Sequence, residues 1–158
     1  MKISIGADHA GFSLKQKIKQ KLEQSGMEID DQGTGSTAPV DYPDFAHRVG
    51  DKVAHGEADC GILVCGTGIG MAIAANKVPG VRAANVTTER EALLSREHND
   101  ANILALGSRL IDEHTALCIV DTWLHTKFDG GRHAHRVEKI AEIEREEQQA
   151  ACNKPSLS

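Results

Sequence analysis

Cys65 closes the apolar run "CGILVC", and glycine follows it at every second position: Gly66, Gly68 and Gly70. A thiol acts as nucleophile or base only as thiolate, and thiolate is favoured where backbone N–H groups meet a helix start. A glycine loop that opens a helix supplies such groups, because its amides point outward without intrahelical partners. Thr67 lies two residues beyond the thiol, so its hydroxyl can contact a substrate or the sulfur. These types suit a proton transfer beside a developing negative charge. Other uses of such a loop compete. A nucleoside-triphosphate loop needs Gly-Lys-Ser/Thr after four spacers, and there is none. A dinucleotide loop needs GxGxxG, but the third glycine position holds Met71 counting from Gly66 and Ile73 counting from Gly68. A plain glycine turn with a core cysteine is the structural alternative.

Three other stretches carry polar chemistry. "GADHAG" places Asp8 beside His9, a pair that also suits a turn and helix cap. "SREHNDANILALGSR" supplies His98, Asn99 and Arg109, and His98 can equally cap the end of a helix. "GGRHAHR" supplies Arg132, His133, His135 and Arg136. Arg132 and Arg136 are four apart and share one face of a helix. Two arginines at a glycine-led helix start suit a phosphate. His133 and His135 are zinc-ligand types, but no Cys or acidic ligand set accompanies them in the sequence, so no metal is expected.

The elements that must hold these residues follow from hydrophobic period. Short apolar runs predict strands over 2–7, 27–31, 60–65, 81–86 and 102–106. Amphipathic runs predict helices over 13–25, 45–55, 69–76, 89–97, 112–124 and 133–148. "GTGSTAPVDYPD" reads as a loop. Strand and helix alternating five times imply a parallel sheet covered on both faces. Ligands in such sheets bind beyond the carboxyl ends of the strands. That rule points to the residues just after Ala7, Cys65, Val86 and Leu106. His98, between the fourth helix and the fifth strand, is expected to reach that crevice.

Bulk properties narrow the function further. The chain has 158 residues, enough for one domain with a real core, and no linker or repeat divides it. One domain over residues 1–149 and a polar, disordered tail over 150–158 are expected. A formal net charge of −5 and few aromatics argue against a general nucleic-acid binder. No stretch approaches the ~18 apolar residues of a membrane span, and no apolar signal core opens the chain. A cytoplasmic protein is expected. Cys60, Cys65, Cys118 and Cys152 form no CxxC pair and read as free thiols. Cys60 and Cys118 lie in apolar surroundings and are assigned to packing.

Taken jointly, "GADHAG", "DYPD", "CGTGIGMAIAANK", "SREHNDANILALGSR" and "GGRHAHRV" closely resemble the ribose-5-phosphate isomerase B family, in its order, from Lys2 to about Glu144. That family includes galactose-6-phosphate isomerase subunits and relatives acting on allose 6-phosphate or tetrulose phosphates. The resemblance implies a Rossmann-like, three-layer α/β/α fold with a five-stranded parallel sheet and an extra C-terminal helix. It implies a homodimer, sometimes paired into a tetramer, with active sites drawn from two subunits. It implies no metal and no nucleotide cofactor. By the same resemblance Cys65 moves a proton between carbons 2 and 1 of a sugar phosphate. The backbone from Gly66 through Thr67, Gly68 and Ile69 to Gly70 holds the enediolate oxygen, with the Thr67 hydroxyl. Asp8 and His98 open the furanose ring. His9, Tyr42, Asn99, Arg109, Arg132, His133 and Arg136 bind hydroxyls and phosphate. One branch of the family carries a glutamate base in the glycine loop. Here that position is Met71, so the chain is similar to the cysteine-base branch. The expected reaction is the interconversion of ribose 5-phosphate and ribulose 5-phosphate. An isomerase of a related phosphosugar and a nucleotide-binding regulatory domain are the alternatives.

Overall fold

The computed structural model describes residues 1–153. Five strands form one parallel sheet: β1 (Lys2–Ala7), β2 (Glu28–Asp31), β3 (Cys60–Cys65), β4 (Ala83–Asn85) and β5 (Ile103–Gly107). Their order across the sheet is β2-β1-β3-β5-β4. Six helices accompany them: α1 (Phe12–Gln24), α2 (Tyr42–Ala54), α3 (Ile69–Ala75), α4 (Glu89–Asn99), α5 (Glu113–His125) and α6 (Arg132–Cys152).

The sheet separates two cores. Ile3, Ile5, Ile62, Val64, Leu104 and Leu106 face α1, α4 and α5, where Ile18, Ala92, Ile119 and Trp123 meet them. Leu63, Cys65, Ile103 and Ala105 face the other way, onto Phe45, Val49, Met71 and Ala75 of α2 and α3. Successive strand side chains point to opposite faces, so a strand covered on both sides is apolar throughout. β3 is that strand, and all six of its residues are buried. The expected α/β architecture, five parallel strands with a helix beyond the last crossover, is the observed one.

Several boundaries differ from expectation, each for a local reason. α2 starts at Tyr42 rather than residue 45, with Asp41 at the cap and Pro43 in the first turn, where a missing N–H costs nothing. α4 continues two residues past 97 and takes in His98 and Asn99. It stops at Asp100, whose φ of 46° ends the helix in the left-handed region. β4 has three residues rather than six. α6 runs to Cys152, so residues 150–152 of the expected tail are helical, and the rest of that expectation concerns 154–158, outside the described residues.

Candidate active site

The chain leaves β1 for one side of the sheet and returns to β3 on the other. That reversal opens a crevice between their carboxyl ends, the usual ligand position in an open α/β sheet. Asp8 and Cys65 flank it: the Asp8 amide donates to the Val64 carbonyl at 3.2 Å. Asp8 is buried, and its Oδ1 accepts from the Gly11 amide at 3.0 Å, so the side chain is held in place by its own turn. His9 receives the Val40 amide on Nδ1 at 3.2 Å, tying the loop before α2 to the same end.

The Cys65 thiol is 5% exposed and accepts the Gly68 amide at 3.1 Å. Gly68 has φ +78°, which an L side chain rarely adopts, and a Cβ there would lie 2.2 Å from Asn85 Nδ2. This residue turns the backbone back over the sulfur. Thr67 Oγ1 accepts the Ile69 amide at 3.3 Å. Among the described residues, the amides of Gly66, Thr67 and Gly70 donate to no protein acceptor. Unpaired donors beside a thiol are costly unless a ligand or water satisfies them. They form a receptor for negative charge.

Neighbouring side chains close this end. A Cβ on Gly66 would sit 2.9 Å from Arg109 Nη1, and one on Gly70 would sit 2.7 Å from the Tyr42 ring. Arg109 and Tyr42 therefore lie against the glycine loop. Sequence reasoning missed two residues here. Asn85 ends β4 and donates to the carbonyls of Thr67 at 3.3 Å and Ala105 at 3.1 Å. Ser108 donates to the Ala10 carbonyl at 2.8 Å and joins the loops after β1 and β5. Both stand at strand carboxyl ends, so the strand-end rule was their only signal.

His98, Asn99, Arg132, His133 and Arg136 do not join this group within one chain, and the expectation that His98 reaches the crevice is corrected. α4 runs back from the carboxyl end of β4 to the amino end of β5, so its last turn lies at the far edge of the sheet. There Arg82, before β4, donates to the carbonyls of Asn99 and Asp100, both at 3.1 Å. Asn102 accepts the Gly61 amide at the start of β3. A six-residue strand separates the two edges by roughly 16 Å. At the far edge the His98 and His133 rings stack, with centroids 4.2 Å apart. Burial, with the charges of His98, Arg132 and Arg136 added, holds the His133 imidazole below its usual pKa. Arg132 and Arg136 are exposed on α6 beside it.

The other cysteines carry no such setting. Cys60 is buried, and desolvation pushes its thiol up to about 12, which makes it inert packing. Cys118 is half-buried beside His114, and Cys152 is exposed. No helix among the described residues is long and apolar enough to cross a membrane. A concavity of about 820 Å³ lies away from the thiol, between α6 and the β4 edge. Ile140 and Ile143 of α6 border it and are 47% and 61% exposed.

Strand order, helix layers and a thiol at the β1/β3 crevice define a Rossmann-like α/β domain with a thiol-lined crevice at the strand carboxyl ends. A profile of the family described as Ribose/Galactose Isomerase matches residues 3–140, and the chain belongs to that family. It is 50% identical over 143 residues to ribose-5-phosphate isomerase B of Escherichia coli, covering 90% of this chain and 96% of that protein. The structure of Clostridium thermocellum ribose-5-phosphate isomerase B superposes with a TM-score of 0.92 at 57% identity, over 92% of this chain and 99% of that one. A ribose-5-phosphate isomerase B from Mycoplasma genitalium, solved with bound ribulose 5-phosphate, gives a TM-score of 0.89 at 45% identity, over 92% and 97% of the two chains.

Proposed function

We propose that this protein interconverts ribose 5-phosphate and ribulose 5-phosphate through an enediolate. The observation that carries the reading is the Cys65 thiol, held at a strand end by the Gly68 amide at 3.1 Å, beside backbone donors without protein partners. Aldose–ketose isomerisation needs a base beside a carbon and donors for the oxygen on its neighbour. The Cys65 thiolate takes the proton from carbon 2 of the open-chain aldose and returns it to carbon 1, while the hydroxyl proton on oxygen 2 passes to oxygen 1. The free amides of Gly66, Thr67 and Gly70, with the Thr67 hydroxyl, hold the oxygen that gains charge. A positioned base supplies about 10²–10⁴-fold, and one oxyanion donor about 2.7–4 kcal/mol.

The ring must open first. Asp8 takes the proton of the anomeric hydroxyl, and His98 protonates the ring oxygen. A single chain sets these groups at opposite edges of its sheet, so His98 comes from a second copy in a homodimer. The exposed Ile140 and Ile143 of α6 suit that assembly, because the 820 Å³ apolar recess beside them is large enough to receive a partner's side chains. His98, Asn99, Arg132, His133 and Arg136 of one copy then complete the crevice of the other, and the arginines hold phosphate. The phosphorylated substrate and the free thiols fit the cytoplasm.

Turnover of ribose 5-phosphate beside allose 6-phosphate, galactose 6-phosphate and erythrulose 4-phosphate tests the assignment. Ribose 5-phosphate should have the highest kcat/KM, with deuterium from solvent entering the product. Preference for a six-carbon or four-carbon substrate would move the protein to a sister activity. No turnover of any of the four would end the reading.

A further inference from the structure

The last turn of α4 is held to the sheet by a side chain outside the motif that carries His98. The carbonyls that end a helix have no intrahelical partners. Arg82, the residue before β4, supplies donors there. Its Nε donates to the carbonyls of Asn99 and Asp100, both at 3.1 Å. Its Nη2 donates to the Asp100 carbonyl at 2.8 Å and to the Asp100 carboxylate at 3.3 Å. Arg82 is itself fixed by the residue before β5: its amide donates to Asn102 Oδ1 at 2.8 Å, and its carbonyl accepts the Asn102 amide at 3.0 Å. Asp100, with φ +46°, is the one residue other than glycine with a positive φ among the described residues. An L side chain is strained in that conformation and glycine is not. Here the side chain that causes the strain is used: the carboxylate accepts Arg82 on Oδ2 and Arg96 on Oδ1, at 3.3 and 3.5 Å. The Asp129 amide donates to the Glu97 carbonyl at 3.1 Å and pins the loop before α6 to the same turn.

We propose that Arg82 and Asp100 are positioning residues, which hold the last turn of α4 so that His98 and Asn99 enter the crevice of the second copy in one fixed geometry. The inference rests on the proposed isomerase reading, in which His98 protonates the ring oxygen. Stacking on His133 sets the plane of the His98 ring, but the α4 backbone sets where that ring starts. A group misplaced by about 1 Å costs about 100-fold in rate, so the end of the helix must not drift. A guanidinium suits the task. Its Nε and Nη2 form a rigid fork that meets two successive carbonyls together, and an ammonium has no such fork. Its charge is also favoured at a helix C-terminus. Asp100 completes the latch, because its carboxylate holds the same fork from the side of the turn.

Two rates measured on each of three variants of the full chain test the latch. Arg82→Lys keeps the charge and loses the fork. Asp100→Asn keeps a residue that tolerates the left-handed region and loses the charge. Asp100→Gly removes the strain together with the carboxylate. Each variant should turn over saturating ribose 5-phosphate about tenfold more slowly, part of what a 1 Å displacement costs, and keep at least about a third of the wild-type carbon-1 exchange of ribulose 5-phosphate. That exchange needs no ring opening, so the ratio of the two rates moves with the place of His98 and not with general loosening. Asp100→Gly should show the split at a melting temperature close to that of wild type. Sedimentation should show all three in the wild-type state of association. Loss of both rates in equal proportion, or no change in either, would overturn the positioning role and leave Arg82 a helix cap. Dissociation of the variants would overturn it in favour of a role in the interface. A wild-type chain with no turnover would refute the isomerase reading and this inference with it, whereas an active wild type with an unchanged ratio in the variants refutes the inference alone.

Discussion

The two edges of the sheet are built differently. At the carboxyl edge the groups are held by backbone: Cys65 by the Gly68 amide, Asp8 by the Gly11 amide, and the glycine loop by its own turn. At the amino edge the groups ride on the surfaces of two helices, and Asn99, Arg132 and Arg136 are exposed. The first edge is preorganised by chain connectivity and needs little further ordering. The second has flexible side chains that must be fixed by whatever binds them. A proton transfer at carbon tolerates little misplacement, and the thiol stands at the rigid edge. In the proposed reaction, phosphate binding and protonation of the ring oxygen use side chains carried on helix surfaces, and those stand at the other.

The largest effect is expected at Cys65. Cys65→Ala should bind sugar phosphate but lose turnover by at least about 10²–10⁴-fold, the share of a positioned base, and should not exchange the carbon-2 proton with deuterated water. Exchange at the wild-type rate would make Cys65 a core thiol. His98→Asn tests the opposite edge. It should slow ribose 5-phosphate strongly and slow carbon-1 exchange of ribulose 5-phosphate, which cannot close to a furanose, much less. Mixing the two inactive variants and reassembling dimers decides whether the edges meet between subunits. Half of the dimers are then mixed, each with one intact site, so about a quarter of wild-type activity should return. No recovery would require both edges to act within one chain.

The two edges were also unequally legible. β3 and the glycine loop could be read directly, because a continuous apolar run and glycines at alternate positions are local patterns. Asn85 could not, since a three-residue edge strand has too little period to mark its last residue. The edge on which His98 stands is hidden from the sequence for a different reason. The residue stands just before a strand, and in a parallel sheet that position lies at the amino edge, a fact of topology rather than of sequence pattern. Asp129 reaches His98 and His133 only through the packing of α6 on α4, which no spacing encodes.

Weaker effects sharpen the contrast. Arg136→Ala removes one charged hydrogen bond to phosphate and should cost binding about 1.5–3 kcal/mol, roughly 10- to 150-fold in KM, with kcat nearly kept. Unchanged phosphate affinity would leave it a solvated surface charge. At the carboxyl edge Lys15, 1% exposed, donates to Asp31 at 2.6 Å and to the Thr34 carbonyl at 2.8 Å. Lys15→Met should lower stability by about 1–3 kcal/mol through the unpaired carbonyl. Burial pushes the Asp31 carboxyl up, but Lys15, the Gly33 amide and Lys19 outweigh it and hold the group below the usual carboxylate range. Its contribution is complete above the unfolded pKa and is lost as pH falls through the lower folded value. The gap between wild type and Lys15→Met in thermal unfolding should therefore narrow on acidification. A gap constant with pH would place the Lys15 contribution in packing alone.

The smallest effect is expected at Asn85, where the difference between the edges can be tested without touching a reacting group. Its amide bridges the Thr67 and Ala105 carbonyls and so fixes the glycine loop to β5. Asn85 is exposed, so water can satisfy both carbonyls once the amide is gone, and stability should fall by only about 0.5–1.5 kcal/mol. The loop would keep its fold but lose its fixed distance from the sulfur. Donors that must meet an oxygen as charge develops lose effect when they drift. Asn85→Ala should therefore lower kcat by about 3- to 10-fold, the rate equivalent of one such bond, and leave KM close to wild type because the arginines still hold phosphate. A rise in KM with kcat unchanged would assign Asn85 to ground-state binding. A fall in melting temperature with both constants unchanged would show that the loop keeps its geometry without the bridge.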